Sequence, residues 1–147
     1  MKTMQDFQRL VLVLALALFG CSILMQQANA DVVLVAHPDI PDASLSAADI
    51  ENLFLGKRKT LPSGESVKVV TLKSGDAHDA FLSAYVNRSA SQFSAFWKRK
   101  IVDGTGIPPK SFDSEAELIA HVKANSGTLG YVSNSTPADG VKVIPVE

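Results

Sequence analysis

The feature that most limits what this chain can fold into is its first thirty residues, which do not read as part of a globular domain. Lys2 and Arg9 give a positive start, diluted by Asp6. Leu10 to Met25 is apolar apart from Gly20, Cys21 and Ser22, and Ala28-Asn29-Ala30 stands directly before Asp31. A basic start, an apolar stretch and a small-x-small site are the signature of a cleavable secretory signal. The chain therefore reads as a signal peptide over 1–30 and a periplasmic domain over 31–147, with no membrane span once the signal is removed. Two other readings stay open. A permanent anchor built on 10–25 would span about 24 Å as a helix, against a hydrocarbon core of about 30 Å. Leu18-Phe19-Gly20-Cys21 loosely resembles a lipobox, which would lipidate Cys21, although Phe19 is bulky for that pattern.

Residues 31–147 have the length of one domain with its own core. The only cysteine, Cys21, lies in the leader, so this region offers no disulfide, thiolate nucleophile or cysteine metal site. Setting aside Lys2, Arg9 and Asp6 leaves 12 basic and 14 acidic residues, a net charge of −2. That balance gives no reason to expect nucleic acid as a partner. His37, His78 and His121 are scattered without metal-ligand spacing, and no Gly-x-Ser-x-Gly elbow is present. No catalytic residue, metal or cofactor is expected, and the chain reads as non-enzymatic.

Val32-Val33-Leu34-Val35-Ala36 is a continuous, β-branched apolar run, the pattern of a strand buried on both faces. Ser44 or Ser46 opens a helix that reaches Leu55, with Gly56 as its stop. Pro62-Ser63-Gly64 is a turn, and 67–72 is a second strand. Ser74-Gly75-Asp76 opens a helix with Ala77, Phe81, Leu82, Tyr85 and Val86 on its apolar side. A further helix over 91–101 buries Phe93, Phe96 and Trp97, and 103–109 is a loop. Ser114 and Glu117 form a capping box for a helix that ends near Ala124. Strands over 129–132 and 141–146 close the chain. The order β-α-β-α-α-α-β-β predicts an α/β fold with a mixed sheet packed with helices.

Three motifs carry a resemblance to a known family. They are Leu45-Ser46-Ala47-Ala48-Asp49-Ile50-Glu51-Asn52-Leu53-Phe54-Leu55-Gly56-Lys57, then Phe96-Trp97-Lys98-Arg99 with Gly104-Thr105-Gly106 and Pro108, then Gly127-Thr128-Leu129-Gly130-Tyr131-Val132. In order and spacing they resemble the periplasmic phosphate-binding proteins of ABC transporters, of the type II periplasmic-binding-protein-like superfamily. The resemblance implies a single lobe of that two-lobed fold. There are two departures. The length suits about one lobe, and the family's Arg-x-Asp-Gly-Ser-Gly-Thr-Thr loop is changed. Thr71 and Lys73 stand at its Arg and Asp positions, and Gly75-Asp76-Ala77-His78 at its Ser-Gly-Thr-Thr positions.

Lys73, Ser74, Gly75, Asp76 and Ala77 form the leading anion-site candidate, because free N–H groups at a helix start attract anions and glycine permits close approach. The ordinary alternative is a strand-to-helix turn capped by Ser74 or Asp76. Lys57, Arg58 and Lys59 come at a helix C-terminus, where they balance its dipole; in a cleft opposite Ser74-Gly75 they would hold an acidic ligand. The resemblance implies a phosphate transporter substrate-binding-like protein that takes a small anion weakly, or together with a second lobe from self-association or another envelope protein. The other reading is a ligand-free interaction module that docks onto an envelope sensor or transporter. Intact-mass measurement of the protein recovered from the cell envelope is expected to give a chain beginning at Asp31. A retained leader, or a lipid on Cys21, overturns the signal-peptide reading.

Overall fold

The computed structural model describes residues 31–147; the signal-peptide reading of 1–30 lies outside them. The elements are β1 (Val32–Ala36), α1 (Ala47–Phe54), β2 (Lys68–Leu72), α2 (Asp76–Phe81), α3 (Ala90–Val102), β3 (Lys110–Phe112), α4 (Glu115–Ala124), β4 (Thr128–Ser133) and β5 (Lys142–Ile144). Helix α2 runs on into a π-helical turn over Leu82–Val86, which ends at Asn87 in the left-handed conformation. No helix among the described residues is long and apolar enough to cross a membrane.

The five strands form one mixed sheet in the order β3-β2-β4-β1-β5. Strands β3 and β4 flank β2 in parallel, whereas β1 lies antiparallel to both β4 and β5. The apolar run at the head of the domain is therefore an interior strand. Both edge strands have three residues, short enough to offer little template for pairing with another chain.

Helices cover both faces of this sheet, and two adjacent residues of β4 show how. Gly130 faces α4: a Cβ there would lie 2.8 Å from Leu118 Cδ2 and 2.9 Å from Val70 Cγ2. Tyr131 points the opposite way, onto Phe54 of α1 and Phe81 of α2. Successive strand side chains alternate between faces, so α4 packs on one side and α1 with α2 on the other. Burial on both sides is why β1 is an unbroken apolar run and why β4 is buried from Thr128 through Val132 instead of alternating.

Helix boundaries obey local chemistry. Of the two candidate caps for α1 the structure uses Ser46, in a full capping box with Asp49. Ser89 and Gln92 form a second box that starts α3 one residue earlier than the apolar spacing suggests. Ser114 accepts from the Glu117 N–H at 3.2 Å, but no return bond from the Glu117 side chain completes the expected box. Strand β3 was not foreseen: Lys-Ser-Phe has no apolar run, and β2 supplies the pairing that makes it a strand. Phe93 and Trp97 are buried as expected, whereas Phe96 and Tyr85 pack only partly against the core.

The absence of a side chain at Gly130 lets α4 close onto the sheet. Gly130→Ala forces a methyl group against Leu118 and Val70 and is expected to destabilise the protein by about 1–3 kcal/mol. Urea unfolding tests this; an unchanged midpoint shows that α4 yields at that contact.

Candidate functional site

The parallel strands β2 and β3 end side by side, and the chain leaves β2 through Lys73-Ser74-Gly75 into α2. The Lys73 N–H donates to the Phe112 carbonyl at 2.9 Å, which extends the ladder one residue and fixes the start of the turn. Gly75 is the N-cap of α2 with φ 106°, a backbone that disfavours any side chain, and nothing lies within 4 Å of the position a Cβ would take. No side chain caps α2, so neither Ser74 nor Asp76 fills the capping role of the ordinary alternative. Lys73, Ser74, Gly75 and Asp76 are exposed and Ala77 half-buried.

Beside this turn lies a shallow cleft of about 280 Å³, lined by Thr71, Lys73, His78, Trp97, Ser111 and neighbouring residues. Lys73 extends along its edge and forms an ion pair with Asp113 at 2.8 Å. Exposed pairs of this kind contribute about 0–1 kcal/mol, so Lys73 is readily released to another anion.

Lys57 and Arg58 are placed elsewhere. Lys57 approaches Glu51 at 3.5 Å and Arg58 holds Asp49 at 2.8 Å, both within the reach of α1. The hydrogen bonds from Ser46 and the Arg58 charge keep the Asp49 carboxyl below its usual range, the serine hydroxyl contributing most. Arg58 lines a second and larger cleft of about 730 Å³, on the other side of Trp97, Pro108 and Pro109. The basic stretch after α1 and the Lys73 turn thus face different clefts.

Residues that sequence spacing could not connect complete the first cleft. Buried His78 places Nδ1 2.5 Å from the Tyr131 hydroxyl, and that hydroxyl accepts the Leu72 N–H at 3.1 Å. Burial lowers the His78 pKa, opposed by the Asp79 charge, and burial raises that of Tyr131 far above its ordinary value. Burial thus works against charging either ring of this closely joined pair. Trp97 stands in the wall shared by both clefts, with its Nε1 buried and no acceptor among the described residues. Among those residues there is no cluster of three or more metal-ligating side chains.

This architecture, a mixed five-stranded sheet packed with helices, is the periplasmic-binding-protein-like fold seen in part of several longer solved structures. Solved structures that share it include proteins described as phosphate transport receptors. One from Vibrio cholerae, an ABC-type phosphate transport receptor, matches at 14% identity and TM-score 0.53 over 78% of this chain and 45% of its own. PstS from Borrelia burgdorferi matches at 12% identity and TM-score 0.57 over 79% of this chain and 47% of its own. A putative phosphate ABC transporter substrate-binding protein of Clostridium perfringens, solved with bound phosphate, matches at 20% identity and TM-score 0.53 over 78% and 44%. The chain thus spans less than half the length of these structures, and the resemblance read from the three motifs holds at the level of the fold. No protein-family profile matches the chain, and no curated protein does.

The buried imidazole makes stability depend on pH. The folded pKa of His78 lies below the ordinary 6.5, so the unfolded chain binds the proton more readily. The contribution is complete above 6.5 and is lost as pH falls from there through the folded value. Asp39 and Asp49, with carboxyls held below 3.8, act only at lower pH. Half-buried His121 shares the window, its pKa lowered by burial and by the Lys110 charge. His78→Gln is expected to remove most of the loss in melting temperature across that window and His121→Gln a smaller part. An unchanged profile in His78→Gln refutes the assignment.

Proposed function

We propose that this is an exported, non-enzymatic substrate-binding-like protein of the envelope. It takes a small inorganic anion of the phosphate class at the turn formed by Lys73, Ser74, Gly75, Asp76 and Ala77. The observation that carries the reading is the uncapped start of α2 at the ends of two parallel strands, where open α/β sheets place their ligands. Helix-start N–H groups without a side-chain partner attract negative charge, and Gly75 leaves the approach to them open. Lys73 supplies the positive charge and Ser74 a hydroxyl. The solved phosphate receptors that share the fold favour the same ligand class.

The chemistry of the turn also sets the strength of binding. Asp76 and Asp113 place carboxylates beside any anion held there, and the cleft is open on one side. A single lobe leaves its ligand half in water, so capture is weak and exchange fast. A second lobe, from another copy of the chain or another envelope protein, would exclude that water and tighten binding. Lys57 and Arg58, which do not line this cleft, have no part in the proposed site.

Thermal-shift titration of the purified protein with phosphate, sulfate and a panel of organic anions tests the proposal. A ligand at about 100 times its Kd adds about 2.7 kcal/mol of stability, so a saturable rise in Tm is expected. Lys73→Ala or Ser74→Ala is expected to abolish it. Absence of any shift up to millimolar anion rejects a stand-alone binder and leaves the interaction module as the reading.

A further inference from the structure

The larger cleft has a one-sided charge. Arg58, Lys59, Lys68 and Lys110 line it together with His121, and no aspartate or glutamate does. These cations come from three separate places: the segment after α1, the start of β2 and the start of β3. Topology gathers them, because Lys110 pairs in register with Val70. Among the described residues Lys59, Lys68 and Lys110 form no ion pair, and only Arg58 is neutralised, by Asp49. Asp39, which bonds to the lining residue Ser126, is also engaged by His37 and by the Gly127 N–H. The Lys110 charge also opposes protonation of His121 in the same wall.

Beneath the exposed cations the lining is apolar and largely buried, with Leu53, Val67, Val70 and Trp97 at its base. A volume of about 730 Å³ lies within the range of organic-ligand sites and far exceeds what an inorganic anion fills. An apolar base under unpaired cations fits a molecule with a hydrocarbon or aromatic body and a carboxylate at one end. We infer that this cleft binds an amphipathic organic carboxylate, its acid group held by Lys59 and Lys110 and its apolar body packed on Val67 and Trp97. The site is separate from the Lys73 turn, and neither depends on the other.

Trp97 is the only tryptophan of the chain and lies in the cleft wall, so its fluorescence reports occupancy directly. The probes are phenylbutyrate, the uncharged phenylbutanol of the same body, and inorganic phosphate, each titrated into the purified full-length protein. Phenylbutyrate is expected to give a saturable change in Trp97 emission that weakens with added salt, and phenylbutanol to give little. Replacing both exposed lysines, Lys59→Ala with Lys110→Ala, is expected to weaken binding about tenfold or more, the scale of one lost charge-assisted hydrogen bond. Lys73→Ala is expected to leave it unchanged, whatever phosphate does at its own turn. The inference is overturned by no saturable change up to millimolar phenylbutyrate, by equal binding of the alcohol, or by full affinity in the folded double variant. Loss of the signal in Lys73→Ala instead would place the ligand at the other cleft and overturn it equally.

Discussion

Tyr131 is the point through which the layers of this domain communicate. Its ring stacks on Phe81 with centroids 3.8 Å apart and planes 4° from parallel, and it meets Phe54 at 5.9 Å. One side chain of β4 thereby fixes α1 and α2 against the same sheet face. Aromatic pairs of this kind contribute about 0.5–1.5 kcal/mol beyond their buried area. The hydroxyl accepts the backbone N–H of Leu72, the last residue of β2, and contacts His78 two residues inside α2. A buried N–H left without a partner costs about 1–3 kcal/mol, so the phenol secures the strand end from which the Lys73 turn departs. On the opposite face the neighbouring Gly130 contributes through its lack of side chain, admitting Leu118 of α4. The pair divides the labour between the two faces: contact on one, space on the other.

The two clefts on either side of Trp97 differ in electrostatics more than in shape. At the Lys73 turn, the lysine is already paired with Asp113, and Asp76 and Asp79 lie in the first helical turn, so its positive charge is offset. Around Lys59, Lys68 and Lys110 it is not balanced at all. The net charge of −2 over residues 31–147 hides this contrast. Local imbalance governs ligand attraction, since exposed charges beyond about a Debye length are largely screened.

Much of the fold was legible in the sequence because its signals are local. The run at Val32, the Gly56 stop, and Ser46 and Ser114 before apolar spacing each specify an element without reference to the rest of the chain. The order of strands and helices, and the likeness to one lobe of phosphate receptors, rest on those elements. Strand β3 was illegible because Lys110-Ser111-Phe112 becomes a strand only by pairing with β2. The π-helical turn after Phe81 was hidden too, for Leu-Ser-Ala-Tyr-Val suits an ordinary helix equally well. The site was legible as a turn and no further. Gly75 and Ser74 marked where α2 begins, but the approach of His78 to Tyr131, the bond between Lys73 and Asp113 and the cation cluster join residues far apart in sequence. Adjacent basic residues were ambiguous in sequence: Lys57 and Arg58 suit either a helix end or an anion, and in the structure they approach Glu51 and Asp49 of α1.

The sheet also imposes an order in time. Strand β1 comes first in the domain, yet its two neighbours are the last strands made: Val32 pairs with Ser133 and Leu34 with Ile144. Until those residues are present, the most apolar strand of the domain has nothing to bond to, and its backbone groups must stay hydrated or find other partners. Closing so long a loop makes folding slow compared with folds built from neighbouring segments. Pairing of β1 therefore waits until almost the whole domain is available, and it joins the beginning of the sheet to its end.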